Sequence, residues 1–145
     1  MLTFTTKLPE NEPINVTMTV ALTAEERTKS RDRLSTIEGD RICFKLPRGT
    51  ILKDGDLLQS ETQDVVLRIM AKPEPVLTVT ASHPLDLLKA AYHLGNRHVP
   101  LEINLDYLRL SADLVLQAML EQLGLKVIIE EAPFQPEFGA YLHLH

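Results

Sequence analysis

The spacing of hydrophobic residues changes partway along this chain, and that change limits the folds available to it. Up to residue 71, apolar and polar residues alternate in short runs such as "LTFTTKL", "NVTMTVAL" and "DVVLRIMA". This alternation is typical of strands with one buried face. Beyond the stretch "AKPEPV" (71–76), strand-like runs are mixed with two segments of helical character. The sequence therefore predicts an α+β protein whose two domains meet at a proline-containing linker in 71–76.

The first predicted domain, residues 1–73, is all-β. "DRICFKLPRGTILKDGDLLQS" adds two strands, separated by the turn signals "PRG" and "DG". The charged stretch "TAEERTKSRDRLST" has no core-facing stripe and is predicted to be a solvated loop or short helix. Cys43 lies in a strand-like run and is expected to be a small buried apolar residue.

The second predicted domain, residues 76–145, has the element order βαββαβ of a ferredoxin-like fold. Its first helix, "PLDLLKAAYHL", has Ser82 or His83 as its cap and Gly95 as its terminating residue. "LEINLDYLRL" reads as two strands or one bent strand. The second helix, "ADLVLQAMLEQL", is predicted to be capped by Ser111 and closed by Gly124, and "LKVIIEE" is the last strand.

The second helix is more apolar than packing on one sheet requires. Its polar residues Asp113, Gln117 and Glu121 form one narrow stripe, and nearly all its other residues are apolar. Two explanations stay open. The helix is either sandwiched between the two halves of the chain or part of a subunit interface.

Composition excludes several classes of protein. The chain has 145 residues, 44% of them hydrophobic, but no run of about eighteen apolar residues that would span a membrane. Its start lacks the pattern of a secretion signal, and its one cysteine cannot form an internal disulfide, so a cytoplasmic location is expected. A net charge of −5 argues against nucleic-acid binding. The motifs GxSxG, GxxxxGK[ST], GxGxxG and HExxH are all absent.

Histidines are the remaining candidates for chemistry, and neutral imidazole suits nickel, copper and zinc. All five lie in the second half: His83, His93, His98, His143 and His145. For His83, a helix cap or surface residue is the preferred interpretation. His93 is also most simply a surface residue of the last helical turn, with an auxiliary ligand role left open. His143 and His145, two apart at the chain end, project to one side of an extended segment and can close on one ion.

His98 is the strongest single candidate because it belongs to a loop that enters a strand. One protomer is short of ligands for a closed site. A two-fold dimer with His98 near its axis would bring two imidazoles to one ion, and mobile tails could complete the shell. Such an open, exchangeable site suits transport of a metal better than catalysis.

The segment "AYHLGNRHVPLEI" resembles the signature of the UreE family of urease accessory nickel metallochaperones. Further blocks fall in the family's order and cover most of the chain. They are "LTAEERTKSRDRL", "LPRGTILKDGDLL", "ASHPLDLLKAAYHLGNRH" and "GLKVIIEEAPFQPEFGAY". The combination of GNRH before a proline with PE.GAY near the end is specific.

The resemblance implies an N-terminal β domain that binds partner protein, followed by a ferredoxin-like domain for metal binding and homodimerisation. It implies that His98 from both subunits is the interfacial nickel ligand and that His143 and His145 add ligands and hand the ion on. It also implies delivery of Ni²⁺ to apo-urease with an accessory GTPase and other accessory proteins, without enzymatic activity. With only two tail histidines and none in "YLRLSADLV", large storage capacity and a peripheral second site are not expected.

Two other functions remain open on residue chemistry alone. A metal-dependent hydrolase would need an open coordination position and a general base such as Glu102 or Asp106. A peptide-binding scaffold would carry its histidines incidentally. The imidazoles themselves do not exclude Zn²⁺ or Cu²⁺ in place of Ni²⁺.

Overall fold

The computed structural model describes residues 1–9 and 14–138, and they form two compact units. The first unit is Met1–Ala71, and the second begins at Lys72. The first is built almost entirely of strands and the second of one sheet with two helices, so the predicted α+β class is confirmed. The longest helix in the described part of the chain has 13 residues, and none there is long and apolar enough to cross a membrane.

The first unit contains a six-stranded sheet with the order β2-β6-β5-β1-β4-β3. Strand β1 is parallel to β4, β2 is parallel to β6, and the other neighbours are antiparallel. Side chains that alternate along these strands form its core, including the fully buried Phe4, Leu58 and Leu67. The elements are β1 (Leu2–Lys7), β2 (Met18–Leu22), α1 (Ala24–Arg27), β3 (Arg31–Ser35), β4 (Arg41–Lys45), β5 (Leu57–Ser60) and β6 (Val66–Ala71).

The charged stretch after β2 is only partly a loop. Thr23 and Glu26 form a reciprocal capping box that starts the four-residue helix α1. The chain then enters β3, which pairs antiparallel with β4 at the edge of the sheet. The prediction of a short helix is confirmed, but a loop through the rest is wrong. Leu34 packs against the core from an edge strand whose other residues are mostly charged. The sequence of β3 therefore shows little of the apolar alternation that identifies a strand.

The predicted linker is too long. Strand β6 ends at Ala71 and the next strand, β7, begins at Glu74, so residues 72–73 alone separate the two strands. Pro75 lies inside β7, opposite Glu131, and its carbonyl accepts the N–H of Ala112 at 3.2 Å. Pro75 is the second residue of the strand, where its missing N–H removes one ladder bond without ending the pairing.

The second unit has the predicted βαββαβ order, and its sheet has the order β10-β7-β9-β8 with antiparallel neighbours throughout. "LEINLDYLRL" forms two strands joined by a hairpin in which the Asn104 N–H bonds to the Tyr107 carbonyl at 3.0 Å. The elements are β7 (Glu74–Thr80), α2 (Pro84–Asn96), β8 (Glu102–Ile103), β9 (Leu108–Ser111), α3 (Leu114–Gln122) and β10 (Lys126–Ala132).

Both helices pack on one face of this sheet. Leu77, Val79, Leu108 and Leu110 of the strands share a core with Leu94 and other residues of the two helices. Because strand residues alternate, Thr78 and Arg109 lie on the opposite face. Two faces of different chemistry result, one apolar under the helices and one polar.

The residue that caps α3 differs from the predicted one. Asp113 is the N-cap, and its carboxylate accepts the Leu116 N–H at 2.9 Å. Ser111 instead ends β9, where it pairs with Val76. The prediction of Ser111 is wrong because β9 continues through Ser111, and the helix begins two residues later than the sequence pattern indicates.

Candidate metal site

His98 lies where helix α2 ends, and its backbone has an unusual conformation. The helix runs through Gly95 to Asn96, so the prediction that Gly95 terminates it is wrong. The His98 N–H bonds to the Gly95 carbonyl at 3.0 Å, and the Val99 N–H bonds to the Leu94 carbonyl at 3.1 Å. These two bonds define a Schellman motif, which requires a left-handed residue just after the helix. That residue is His98, with φ of 57°.

Helix α3 ends in the same motif with the residue that such a motif prefers. The Gly124 N–H bonds to the Glu121 carbonyl at 3.0 Å, and the Leu125 N–H bonds to the Leu120 carbonyl at 3.1 Å. Gly124 has φ of 87° and no Cβ to oppose it, as the sequence predicts. His98 thus occupies a position at which glycine would be more stable. Residues held in this backbone region against their preference are concentrated at functional sites.

The His98 side chain is exposed and borders a groove of about 290 Å³. The chain from Arg97 to Pro100 forms one wall, and the other is Ser111 to Asp113 with Leu116 of α3. An imidazole at the rim of an open groove is accessible to a metal ion and to a second protein chain. The α2 terminus fixes its backbone, and the first turn of α3 borders the same groove.

Several apolar side chains of the two helices are unusually exposed. Leu114 and Val115, in the first turn of α3, are 82% and 74% exposed. On α2, Leu88 and Tyr92 are each 67% exposed. The core therefore does not bury all of the apolar side chains that the sequence shows on the second helix. Exposed apolar surface of this kind is typical of an interface with another molecule.

The three histidines among the described residues do not form a common metal site. His83 is the N-cap of α2 and makes no side-chain capping bond. It lies about 20 Å from the other end of that 13-residue helix, where His98 is. His93 is exposed, and the edge of its ring meets Tyr92 with the centroids 5.6 Å apart. Within residues 1–9 and 14–138, no three His, Cys, Asp or Glu side chains are arranged to hold a metal. His143 and His145 lie outside the described residues.

Sequence reasoning missed a cluster of charged and polar residues on the polar face of the second sheet. Arg109 donates from Nε to the Thr78 hydroxyl at 3.1 Å, and its guanidinium lies 3.8 Å from carboxylate oxygens of both Glu102 and Glu130. Its Cζ is 4.8 Å from the Tyr107 ring centroid. A lone arginine between two leucines of β9 was the available sequence signal, because it must face away from the core.

Glu102, one of the two proposed general bases, is a structural member of this cluster. It is 9% exposed, and its Oε2 accepts from the Asn104 amide at 2.9 Å. Its Oε1 accepts the Gln135 N–H at 2.8 Å. A carboxylate so fully engaged is unsuited to proton abstraction. Asp106, the other proposed base, is exposed in the β8–β9 hairpin.

Residues 133–138, called here the C-terminal strap, cross the polar face of this sheet. Strand β10 and strand β8 are its opposite edges, about 14 Å apart over three strand spacings. The Pro133 carbonyl accepts from Arg109 at 3.4 Å, and the Glu137 N–H bonds to the Leu101 carbonyl at 2.8 Å. Phe134, between these two fastenings, is 2% exposed. The strap therefore brings the chain to the edge of the sheet where the His98 loop enters it.

Comparison with known proteins gives one consistent family. The family model described as "UreE urease accessory protein, N-terminal domain" matches residues 4–71, and the one for the C-terminal domain matches residues 74–145. Proteins named urease accessory protein UreE from Microcystis aeruginosa and Nostoc punctiforme are both 60% identical to this chain. Both matches cover 100% of this chain, with 95% and 98% of those proteins. One from Burkholderia vietnamiensis is 50% identical over 85% of this chain and 61% of its own length.

Proposed function

Because the chain belongs to the UreE family of urease accessory proteins, we propose that it binds Ni²⁺ between two protomers and delivers it to apo-urease. The observation that carries this proposal is the exposed His98 imidazole, held in a left-handed backbone conformation at the end of α2. When a residue is held in a backbone conformation that its type disfavours, the best explanation is that its side chain is required at that position.

The chemistry of His98 fits such a cargo. Neutral imidazole is a good ligand for Ni²⁺, and the exposed ring leaves the rest of the coordination shell open to exchange. By intrinsic affinity Cu²⁺ would bind more tightly and Zn²⁺ comparably, so the preference for nickel comes from geometry or from the metal supply. The protein acts as a carrier in this proposal and not as an enzyme.

A second protomer supplies the second imidazole. Leu114 and Val115 lie on the same turn of α3 that borders the His98 groove, and both side chains are mostly exposed. If this apolar surface is the contact between two copies, a two-fold axis there brings the two His98 loops close to one another. Burial of the leucine and valine side chains would stabilise the dimer by roughly 1.5–3 kcal/mol for each fully buried residue.

His143 and His145 complete the shell in this proposal, and chain lengths permit it. Leu101 follows His98 by three residues, so their Cα atoms are at most about 11 Å apart. Glu137 is bonded to Leu101, and His143, six residues further on, is within about 22 Å of that point along the chain. His93, exposed in the last turn of α2, is an auxiliary ligand at most.

The two units divide the work. We assign metal binding and dimerisation to residues 76–145, where the histidines are, and binding of partner proteins to residues 1–73. The partners are apo-urease and the urease accessory proteins, including the accessory GTPase, in the cytoplasm. Deleting residues 1–73 would then abolish urease activation in a reconstituted system while nickel binding by the remaining unit persists.

Calorimetric titration of the purified protein with Ni²⁺ tests the site. We expect His98→Ala to remove the tightest binding, because it removes both copies of the shared ligand. His93→Ala is the matched control, and we expect it to change the affinity little. Tight binding that survives His98→Ala unchanged would show that the site is elsewhere.

A further inference from the structure

The polar face of the second sheet carries a charged cluster that neither the metal site nor the apolar core explains. Arg109 is 15% exposed at its side chain, and it joins four groups from different parts of the chain. These are Thr78 of β7, Glu102 of β8, Glu130 of β10 and the carbonyl of Pro133. Most of them belong to the sheet, but Pro133 begins the C-terminal strap.

The cluster fastens the strap at two successive points. Arg109 donates to the carbonyl of Pro133, and the Glu102 carboxylate accepts the N–H of Gln135. Hydrogen bonds in which one partner is ionised are roughly twice as strong as neutral ones. A third, neutral bond joins the Glu137 N–H to Leu101 at the sheet edge. Alternate residues of the strap are therefore held along its whole path across the sheet.

The path of the strap determines from which edge of the sheet the last residues of the chain extend. Without the strap, they would start from the end of β10, at the edge of the sheet opposite β8. With the strap in place they start beside Leu101, three residues from His98. The effective concentration of a tethered ligand depends on the length and origin of its tether.

We propose that Arg109 and Glu102 are positioning residues for metal binding: by holding the strap, they fix the point beside Leu101 from which the chain continues toward His143 and His145. They do not contact the ion. This inference rests on the proposed function, because it needs the tail histidines to be ligands. Complete release of the strap lengthens the tether to His143 from six residues after Glu137 to eleven after Ala132. The effective concentration of the tail then falls by about 2.5-fold, since it decreases roughly as the −3/2 power of tether length.

The test is a double-mutant cycle on the full chain, read out by competition titration with nickel chloride. Arg109→Met is measured alone and together with His143→Ala/His145→Ala. We expect Arg109→Met to weaken nickel binding by up to about 2.5-fold, the value for complete release of the strap, when the tail histidines are present, and not at all when they are absent. Arg68→Lys, a change at an exposed arginine of β6, is a control that leaves the affinity unchanged.

A second pair of variants avoids the charged cluster, in case Arg109→Met does not fold. Glu137→Pro removes the N–H that bonds to Leu101, whereas Glu137→Ala keeps it. We expect Glu137→Pro to weaken nickel binding and Glu137→Ala to bind like the parent protein. Hydrogen exchange at the amides of Gln135 and Glu137 reports release of the strap independently of metal.

Three results would overturn the inference. Equal weakening with and without the tail histidines would mean that Arg109 acts on the His98 loop itself. No weakening with the tail histidines present would mean that the strap does not position them. If His143→Ala/His145→Ala alone leaves the affinity unchanged, the tail is not a ligand, and the inference fails with that part of the proposed function. The His98→Ala titration then decides the shared site separately.

Discussion

Replacing His98 by glycine should stabilise the metal-free protein although it removes the proposed metal ligand. His98 has φ of 57°, a conformation that costs a residue with a Cβ about 1–2 kcal/mol. Glycine removes that cost but loses about 0.4–1 kcal/mol through its greater freedom in the unfolded chain. Because the His98 side chain is exposed, few packing contacts are lost. The expected net gain is about 0.5–1 kcal/mol, or about 2–8 °C in Tm for a unit of this size.

Thermal unfolding followed by circular dichroism, with metal removed by chelation, measures this gain. His93→Gly is the matched control, since it makes the same substitution five residues earlier within the helix. There glycine should destabilise by roughly 0.5 kcal/mol, because it is the poorer helix former. The same chemical change is thus expected to have opposite signs at the two histidines.

Gly124 provides the reverse experiment. A Cβ added there would meet no heavy atom within 4 Å, so Gly124→Ala isolates the cost of the left-handed backbone at φ of 87°. We expect a loss of about 1 kcal/mol. If His98→Gly lowered the Tm as much as His93→Gly does, the conclusion that His98 opposes its local backbone preference would be refuted.

Three further predictions concern the interface, the helix cap and pH. Val115→Asp should raise the dimer dissociation constant at least tenfold in analytical ultracentrifugation, because a carboxylate would be buried unpaired at the proposed contact. Ile37→Asp is the control, since Ile37 of the first unit is 101% exposed, and it should leave the dissociation constant unchanged. Asp113→Ala should cost about 1 kcal/mol in denaturant unfolding through loss of the α3 cap, whereas Asp106→Ala, at an exposed hairpin residue, should cost little. Nickel affinity should fall below about pH 6, because protonated imidazole is not a ligand, and a pH-independent affinity would indicate carboxylate ligands instead.

The order of elements was predictable because it depends on local patterns. Alternation identified the strands of both units, and the two helical segments between strands gave the ferredoxin-like arrangement. Gly124 was identified as the end of α3 because glycine is the residue that a left-handed terminus favours. Cys43 is free and buried, as its strand context indicated.

The errors came from competition between local and tertiary preferences. Gly95 is the glycine nearest the end of α2, yet the helix continues past it and places His98 at the left-handed position. No propensity rule predicts that a histidine, and not the glycine three residues before it, occupies the left-handed position at the end of the helix. The proposed metal ligand therefore lies at the point where the propensity rule fails, as expected where function opposes local stability.

The charged cluster and the strap could not be predicted from sequence for a different reason. Arg109, Glu102 and Pro133 are brought together by the register of β8 against β9 and by the strap's path across the sheet. Both depend on contacts between residues far apart in sequence. The only local signal in the sequence is an arginine between two leucines, and residues 133–138 carry no strand or helix pattern that would place them on the sheet.

Native mass spectrometry of the full chain with one equivalent of Ni²⁺ tests the central claim most directly. We expect a species of two 16.3 kDa chains with a single nickel ion, and a dimer without tightly held nickel for His98→Ala. One ion held by each separate chain, or a nickel-loaded dimer that persists in His98→Ala, would contradict a site shared through His98.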